Sequence, residues 1–184
     1  MDKNYFFKNS NIDVFQAAQL LEDALVGFDD GELYIQYGES ENISIIDRVI
    51  KSSSFDINQG FGMRGVVGEV SGFAHSNILD KTNIEQAIEV IKSVAKHDVS
   101  VNIPLIIANN NHHKLYPSLN PISEHSFNEK INLLTCIDEY LRTKNSLVKK
   151  VSASISTSCK KIQIIRNKDF IISDTRRWFN LESW

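Results

Sequence analysis

Residues Asp56 to Asn77 hold five of the chain's eight glycines, and no glycine follows Gly72. Glycine permits positive φ angles and close approach of a second main chain or a ligand, so this density mainly constrains the backbone. Met63 to Val67 and Val70 to His75 are predicted to be two short strands. The two residues between them, Gly68-Glu69, suit a type II′ hairpin turn. We therefore expect this glycine-rich stretch to lie in an antiparallel sheet.

Three segments carry apolar residues at helical spacing, and five others alternate or are apolar in the manner of strands. The helices run from Val14 to Leu25, from Ile84 to Ala95 and from Ile131 to Leu141; the further strands cover Leu33 to Tyr37, Ile43 to Ser53, Val151 to Ser158, Lys161 to Arg166 and Phe170 to Ser173. Thr82 with Glu85, and Ser126 with Glu129, are capping boxes that predict two helix starts.

The order of these elements predicts the fold class. The strands follow one another through short turns, such as Cys159-Lys160, instead of alternating with helices. This order indicates an α+β fold: a mainly antiparallel sheet with three helices packed on it. Between Asp98 and His125 the pattern dissolves, and all three prolines lie there. A segment of that kind is typical of a working surface or of disorder.

Length, charge and cysteine content exclude several classes of function. A chain of 184 residues that is 42% apolar can bury the core of one domain. Its net charge of −3 gives no basic surface for nucleic acid, and its longest apolar run, Pro104 to Ala108, is too short to span a membrane. The N-terminus lacks a secretory pattern, and two cysteines without metal-like spacing suit a reducing compartment. We expect a cytoplasmic protein.

Two catalytic or cofactor patterns are weak in context. Gly60 to Gly65 matches the dinucleotide fingerprint GxGxxG, but that motif requires a helix directly after it, and a hairpin is predicted instead. His112-His113 with Glu124 and His125 could suggest zinc, yet adjacent loop histidines are more typical of solvated side chains.

Cysteine chemistry and a charged cluster are the remaining candidates. Cys136, within a helix, is expected to be a packed, inert thiol, whereas Cys159 beside two lysines could be a nucleophile. Four charged residues could cluster if their strands are neighbours: Arg48, Lys51, Arg64 and Glu69. Cross-strand ion pairs on a solvated sheet are the more common explanation for such a set.

A series of short motifs, none decisive alone, carries a family resemblance. They are Leu33-Tyr34, Asp47-Arg48-Val49-Ile50-Lys51, Gly60-x-Gly62-x-Arg64, Gly68-Glu69, Gly72-Phe73-Ala74, Tyr116-Pro117, Asn120-Pro121, Glu129-Lys130 and Val151-Ser152-Ala153-Ser154. In this order they resemble the N-terminal half of the TldD branch of the TldD/PmbA zinc metallopeptidases. The likeness covers nearly the whole chain, from the first helix to Asp174-Thr175-Arg176.

The resemblance implies a cytoplasmic bacterial peptidase whose TldD-like and TldE-like (PmbA-like) subunits enclose a chamber for unfolded peptides. It also implies a zinc site on a His-Glu-x-x-x-His motif in the C-terminal half, where the Glu activates the metal-bound water. No His-Glu dipeptide occurs in this chain, so no catalytic or metal residue is assigned. The positions implied to be structural or peptide-facing are Arg48, Lys51, Gly60, Gly62, Arg64, Gly68, Glu69, Gly72 and Phe73.

We interpret residues 1–176 as a TldD-like N-terminal domain and residues 177–184, which match nothing in the family, as a tail. The catalytic C-terminal domain is absent from the chain, which indicates a truncated or split gene. Such a fragment holds no cofactor of its own and is expected to be inactive alone. The alternative is a non-catalytic docking module for a TldE-like subunit or a separately encoded catalytic half.

Overall fold

The structure, a computed structural model, describes residues 2–95 and 119–184. These two ranges form a 3₁₀ turn, four α-helices and five strands. They are a 3₁₀ turn Tyr5–Phe7, α1 Val14–Ala24, β1 Asp30–Ile46, β2 Val49–Val67, β3 Val70–Ser76, α2 Lys81–Ala95, α3 Pro121–Glu124, α4 Phe127–Lys144, β4 Ser152–Ile165 and β5 Ile171–Ser183. No helix in these two ranges has the length and apolar composition needed to cross a membrane.

The strands form one five-stranded sheet in the order β3-β2-β1-β4-β5. The β2–β3 hairpin is antiparallel, pairs Val67 with Val70 across the Gly68-Glu69 loop, and continues to Phe61 opposite Ser76. Gly68 has φ +56°, which suits the first position of the predicted turn. The predicted α+β class, with an antiparallel sheet and helices packed on it, is confirmed.

Two predicted strand boundaries are wrong. The predicted strand from Ile43 to Ser53 runs through a turn, because Asp47 and Arg48 both have left-handed φ angles and separate β1 from β2. The predicted turn at Cys159-Lys160 lies inside β4, which continues to Ile165. Alternate residues are buried up to Cys159, and Ile162, Gln163 and Ile165 are buried beyond that point.

The described residues divide into two compact units. The first unit comprises residues 2–37, 59–95 and 161–174. Its core joins one face of the strands to α1 and α2, with Leu21 and Leu33 fully buried. Helix α1 begins at a capping box in which the Asp13 carboxylate accepts from the Gln16 amide at 2.8 Å.

The second unit comprises residues 38–58, 119–160 and 175–184. Its core is smaller and places α4 against β1 and β4, with Leu134 buried against Ile45 and Ile155. The predicted capping box of Ser126 and Glu129 is confirmed at the start of α4. The predicted irregular segment lies mostly outside the described residues, and its end forms the short helix α3 with Asn120 as N-cap.

The start of α2 differs from its prediction. Asp80, and not Thr82, accepts the Asn83 amide at 2.7 Å, and the Ile84 amide donates to the Asp80 carbonyl. These hydrogen bonds to Asn83 lower the pKa of the Asp80 carboxyl, because they stabilise its charged form. Asp80 therefore occupies the capping position, two residues earlier than the sequence pattern indicates.

This assignment predicts different costs for two alanine substitutions. We expect Asp80→Ala to lower the Tm by about 2–4 °C, because a helix cap is lost. Thr82→Ala, on an exposed position of the first turn, should leave the Tm within about 1 °C of wild type. Thermal unfolding followed by circular dichroism measures both changes in Tm. A larger loss for Thr82→Ala than for Asp80→Ala would show that Thr82 is the N-cap, as the sequence pattern predicts.

Candidate functional site

The glycine-rich stretch lies within β2 and β3 and supplies close packing. The GxGxxG match ends in mid-strand, since β2 continues to Val67 before the hairpin. At Gly65 an added Cβ would stand 2.4 Å from Ile91 Cγ2 on α2 and 2.7 Å from the Phe28 ring. At Gly60 it would stand 2.6 Å from the Ser76 carbonyl oxygen. These two glycines let a helix and a neighbouring strand approach the sheet.

A four-residue ion-pair network lies in the first unit, on the sheet face opposite to that of Gly65. Arg64 Nη2 lies 2.7 Å from Asp30 Oδ2, and its Nε lies 3.7 Å from Glu32 Oε1. Arg166 reaches the same two carboxylates at 3.9 and 3.5 Å. We call these four residues the β1 quartet. Two guanidiniums and two carboxylates balance, so the quartet offers no net charge to a ligand, and it links β1 to β2 and to the residue that follows β4.

Two further motif residues lie near the quartet. They are Phe73 on β3 and Glu69 in the turn between β2 and β3. Phe73 pairs with Arg64 across the hairpin, and its side chain is exposed. Its ring lies close to Gly62, where an added Cβ would be 3.1 Å from Cζ. Glu69 is exposed in the hairpin loop. An exposed aromatic beside arginine on an open sheet face can contact a peptide, as the motif-based prediction allows.

The Asp47-Arg48 turn in the second unit is anchored to α4. Arg48 Nε donates to Asp138 Oδ1 at 3.0 Å, and Arg142 Nε donates to the same oxygen at 2.8 Å. Asp47 accepts from Val151 N at 3.0 Å and from the Arg142 guanidinium. Two consecutive left-handed residues without glycine are costly, and these hydrogen bonds offset that cost.

Asp138 is the buried centre of this turn network. Its side chain is fully buried although it is charged. Hydrogen bonding from Arg142 is the main reason that the pKa of the Asp138 carboxyl lies below its usual value, with a further contribution from Arg48. The same contact with Asp138 raises the pKa of Arg142. Sequence reasoning missed both residues, although Asp138 and Arg142 have the i, i+4 spacing of a helical ion pair.

The predicted charged cluster does not form as one group. Arg48 pairs with Asp138 and Glu139, whereas Arg64 pairs with Asp30 and Glu32. Lys51 is exposed on β2. The cross-strand ion-pair explanation holds for Arg64, whose partners lie on β1, whereas Arg48 pairs with the helix α4. Sequence reasoning selected none of these partners.

A cavity of about 460 Å³ in the first unit borders the glycine-rich stretch. Residues with polar side chains line much of it, including Tyr5, Gln36, Tyr37, Gln59 and Asn77, with Gly60 between them. Amide and phenol groups can hold a ligand by neutral hydrogen bonds. Among the described residues that line the cavity, the titratable side chains are those of Lys8 and the two tyrosines.

The metal and cysteine candidates fare differently. In residues 2–95 and 119–184, no three His, Cys, Asp or Glu side chains lie close enough to hold a metal ion, so these residues do not fit the family's zinc. The predicted pair His112-His113 lies outside those ranges. Cys136 is exposed, so its expected packing is wrong. Cys159 is buried in the sheet, which keeps its thiol from a substrate and weighs against a cysteine enzyme.

Together, an antiparallel sheet with unusually long strands, a packed glycine stretch and two ion-pair networks define an α+β fold. Sequence comparison identifies its family. Residues 31–95 match the family profile described as PmbA/TldA metallopeptidase domain 1. A metalloprotease TldD homolog of Haemophilus influenzae is 30% identical over 149 residues, which cover 80% of this chain and 31% of that protein.

Solved structures share the fold. A Bacteroides thetaiotaomicron protein, described as a candidate modulator of DNA gyrase, superposes with a TM-score of 0.67 at 14% identity, over 91% of this chain and 39% of its own. TldE from Thermococcus kodakarensis gives 0.56 at 15% identity, over 90% and 38%. The chain belongs to the TldD/PmbA family, and its residues 31–95 match the profile of the family's first domain. It spans about a third of the length of the curated relatives it matches.

The packing role of Gly65 predicts a contrast between two glycine substitutions. Gly65→Ala should cost about 1–3 kcal/mol, because the new methyl meets Ile91 and Phe28 in the core. Gly62→Ala should cost less, since it meets the tip of the exposed Phe73, which can move. Urea unfolding measures both. Equal costs would show that the glycines do not act through close packing.

The buried carboxylate predicts a pH-dependent effect. Asp138→Asn should lower the Tm by about 3–8 °C at pH 7, because Arg48 and Arg142 lose their shared charged partner. The folded-state pKa of Asp138 is depressed, so its contribution is present above the unfolded pKa, about 3.9, and is lost as the pH falls through the folded value.

The Tm difference between wild type and Asp138→Asn should therefore be constant from pH 5 to 8 and shrink below about pH 4. Asp56→Asn, at an exposed carboxylate on β2, serves as the control. A difference that grows on acidification would contradict the assignment.

Proposed function

We propose that this chain is the non-catalytic first domain of a TldD-like metallopeptidase that acts on unfolded peptides in the cytoplasm. The observation that carries the proposal is the match to the family's first domain, together with homology over 80% of the chain to a metalloprotease TldD homolog. In this proposal residues 1–176 are the domain and zinc belongs to a catalytic half that the chain does not supply.

The chemistry of the chain supports this division. A His-Glu dipeptide, on which the zinc motif depends, occurs nowhere in the 184 residues. In the described residues, the charged side chains of the β1 quartet form ion pairs with one another, and so do those of the Asp138 network. Groups that are already paired in this way hold a scaffold in shape and do not activate water.

Activity measurements on the purified chain test the proposal. We expect zinc well below one equivalent by elemental analysis and no hydrolysis of unfolded peptides, with or without added zinc. A full-length TldD homolog with its TldE-like subunit is the positive control. Stoichiometric zinc together with turnover by this chain alone would contradict the proposal.

A docking role is the second candidate, and the exposure of β2 favours it. Residues 49–59 of β2 are all exposed, so this part of the strand has neither face covered by the described chain. Four large apolar side chains lie on it: Val49, Ile50, Phe55 and Ile57. Apolar residues on an exposed strand are typical of a surface that another protein covers. We propose a TldE-like subunit or a separately encoded catalytic half as that protein.

Matched substitutions test the docking role. Phe55→Glu and Ile57→Glu should weaken co-elution with a TldE-like subunit at least tenfold, because a charge would be buried in the contact. Phe15→Glu, on an α1 side chain of similar exposure, should not. Size-exclusion chromatography of equimolar mixtures measures the complex. Unchanged co-elution of the β2 variants would exclude this surface.

A further inference from the structure

A second cavity, of about 500 Å³, lies within the second unit, and we call it the α4–β4 cavity. Its apolar walls come from Leu133 on α4, Ile155 on β4 and Phe179 on β5. Leu133 and Phe179 are 44% and 55% exposed, so the walls meet solvent where the core ends. A volume of this size accommodates a small organic ligand.

Thr157 places an unsatisfied hydroxyl in this cavity. The residue lines the cavity and is 2% exposed. Its Oγ1 has no hydrogen-bond partner among the described residues and exposes less than 1 Å² of surface, so a ligand reaches it only after the side chain rotates about χ1. A buried hydroxyl without a partner costs free energy, and a ligand atom or a water that reached it would recover that cost. The deep end of the cavity therefore selects a group that can hydrogen-bond.

The charges around the cavity favour a cation. Glu124 and Glu129 are both exposed lining residues, and Glu129 Oε2 also accepts from the Ser126 amide and hydroxyl in the capping box. Lys130, which also lines it, donates to the Glu41 carboxylate and to the Ile122 carbonyl at 2.7 Å, so its charge is compensated. His125 is the remaining titratable group there, and it is exposed. The two glutamates thus give the rim a negative field.

We propose that the α4–β4 cavity binds an aromatic amine whose ring carries an N–H or O–H group. The ring lies between Leu133 and Phe179, the ring N–H or O–H reaches Thr157 Oγ1, and the ammonium group meets Glu124 and Glu129. This site is separate from the proposed peptidase role and does not depend on it.

Three related compounds test each part of the site. Tryptamine carries an indole N–H and an ammonium group, phenethylamine lacks the ring N–H, and indole-3-propionate replaces the ammonium with a carboxylate. Titrations at pH 8 and low salt, followed by amide chemical shifts, should show tryptamine binding with shifts at Thr157 and Leu133. Phenethylamine should bind about tenfold more weakly, and indole-3-propionate more weakly still. A tripeptide Gly-Trp-Gly distinguishes a peptide side chain from a free amine.

Thr157→Val removes the hydroxyl at nearly constant shape. It should weaken tryptamine about tenfold, leave phenethylamine unchanged and not lower the Tm of the free chain, since no hydrogen bond is lost. Thr143→Val, at the end of α4, is the control for the substitution. Equal tryptamine binding by wild type and Thr157→Val would overturn the proposal.

A substitution at the rim of the cavity tests the site without changing Thr157. Its result therefore does not depend on whether Thr157→Val folds normally. Leu133→Lys places a positive charge at the mouth and should abolish tryptamine binding, whereas Leu181→Lys, of similar exposure on β5, should not. Two further results would overturn the proposal. One is that no compound binds at millimolar concentration, and the other is that the chemical-shift changes are confined to residues away from the cavity. In either case water, and not a ligand, would be the partner of Thr157.

Discussion

The long strand β1 imposes one constraint on the rest of the chain, because its buried residues must be covered in both units. In the first unit, Leu33 and Ile35 pack with α1 and α2. In the second unit, Ile43 and Ile45 pack with α4. Because α2 packs closely on the sheet, Gly65 on β2 has no room for a side chain.

Elements defined by local chemistry could be predicted from the sequence. The Gly68-Glu69 hairpin and the Ser126 capping box depend on residues within one turn of each other, and both are confirmed. The Asp47-Arg48 turn was missed because it contains no glycine, proline or asparagine. It is held by Asp138 and Arg142, about ninety residues further along the chain. Long-range partners of this kind leave no local pattern.

The candidate site shows the same division. Arg48 and Arg64 were selected from motifs, but their partners Asp30, Glu32 and Asp138 emerged only from the pairing of strands and the packing of α4. The predicted hairpin after the fingerprint-like glycines is confirmed, since β2 continues through them to Val67 before the turn into β3. Strand context could be predicted there because the glycines and the turn are neighbours in the sequence.

Native mass spectrometry of this chain with a TldE-like subunit and zinc tests the central claim most directly. The account predicts a complex in which the mass of this chain carries no zinc, and the same zinc-free mass for the chain alone. A chain that binds one zinc ion tightly by itself, and forms no complex with either a TldE-like subunit or a TldD catalytic half, would contradict it.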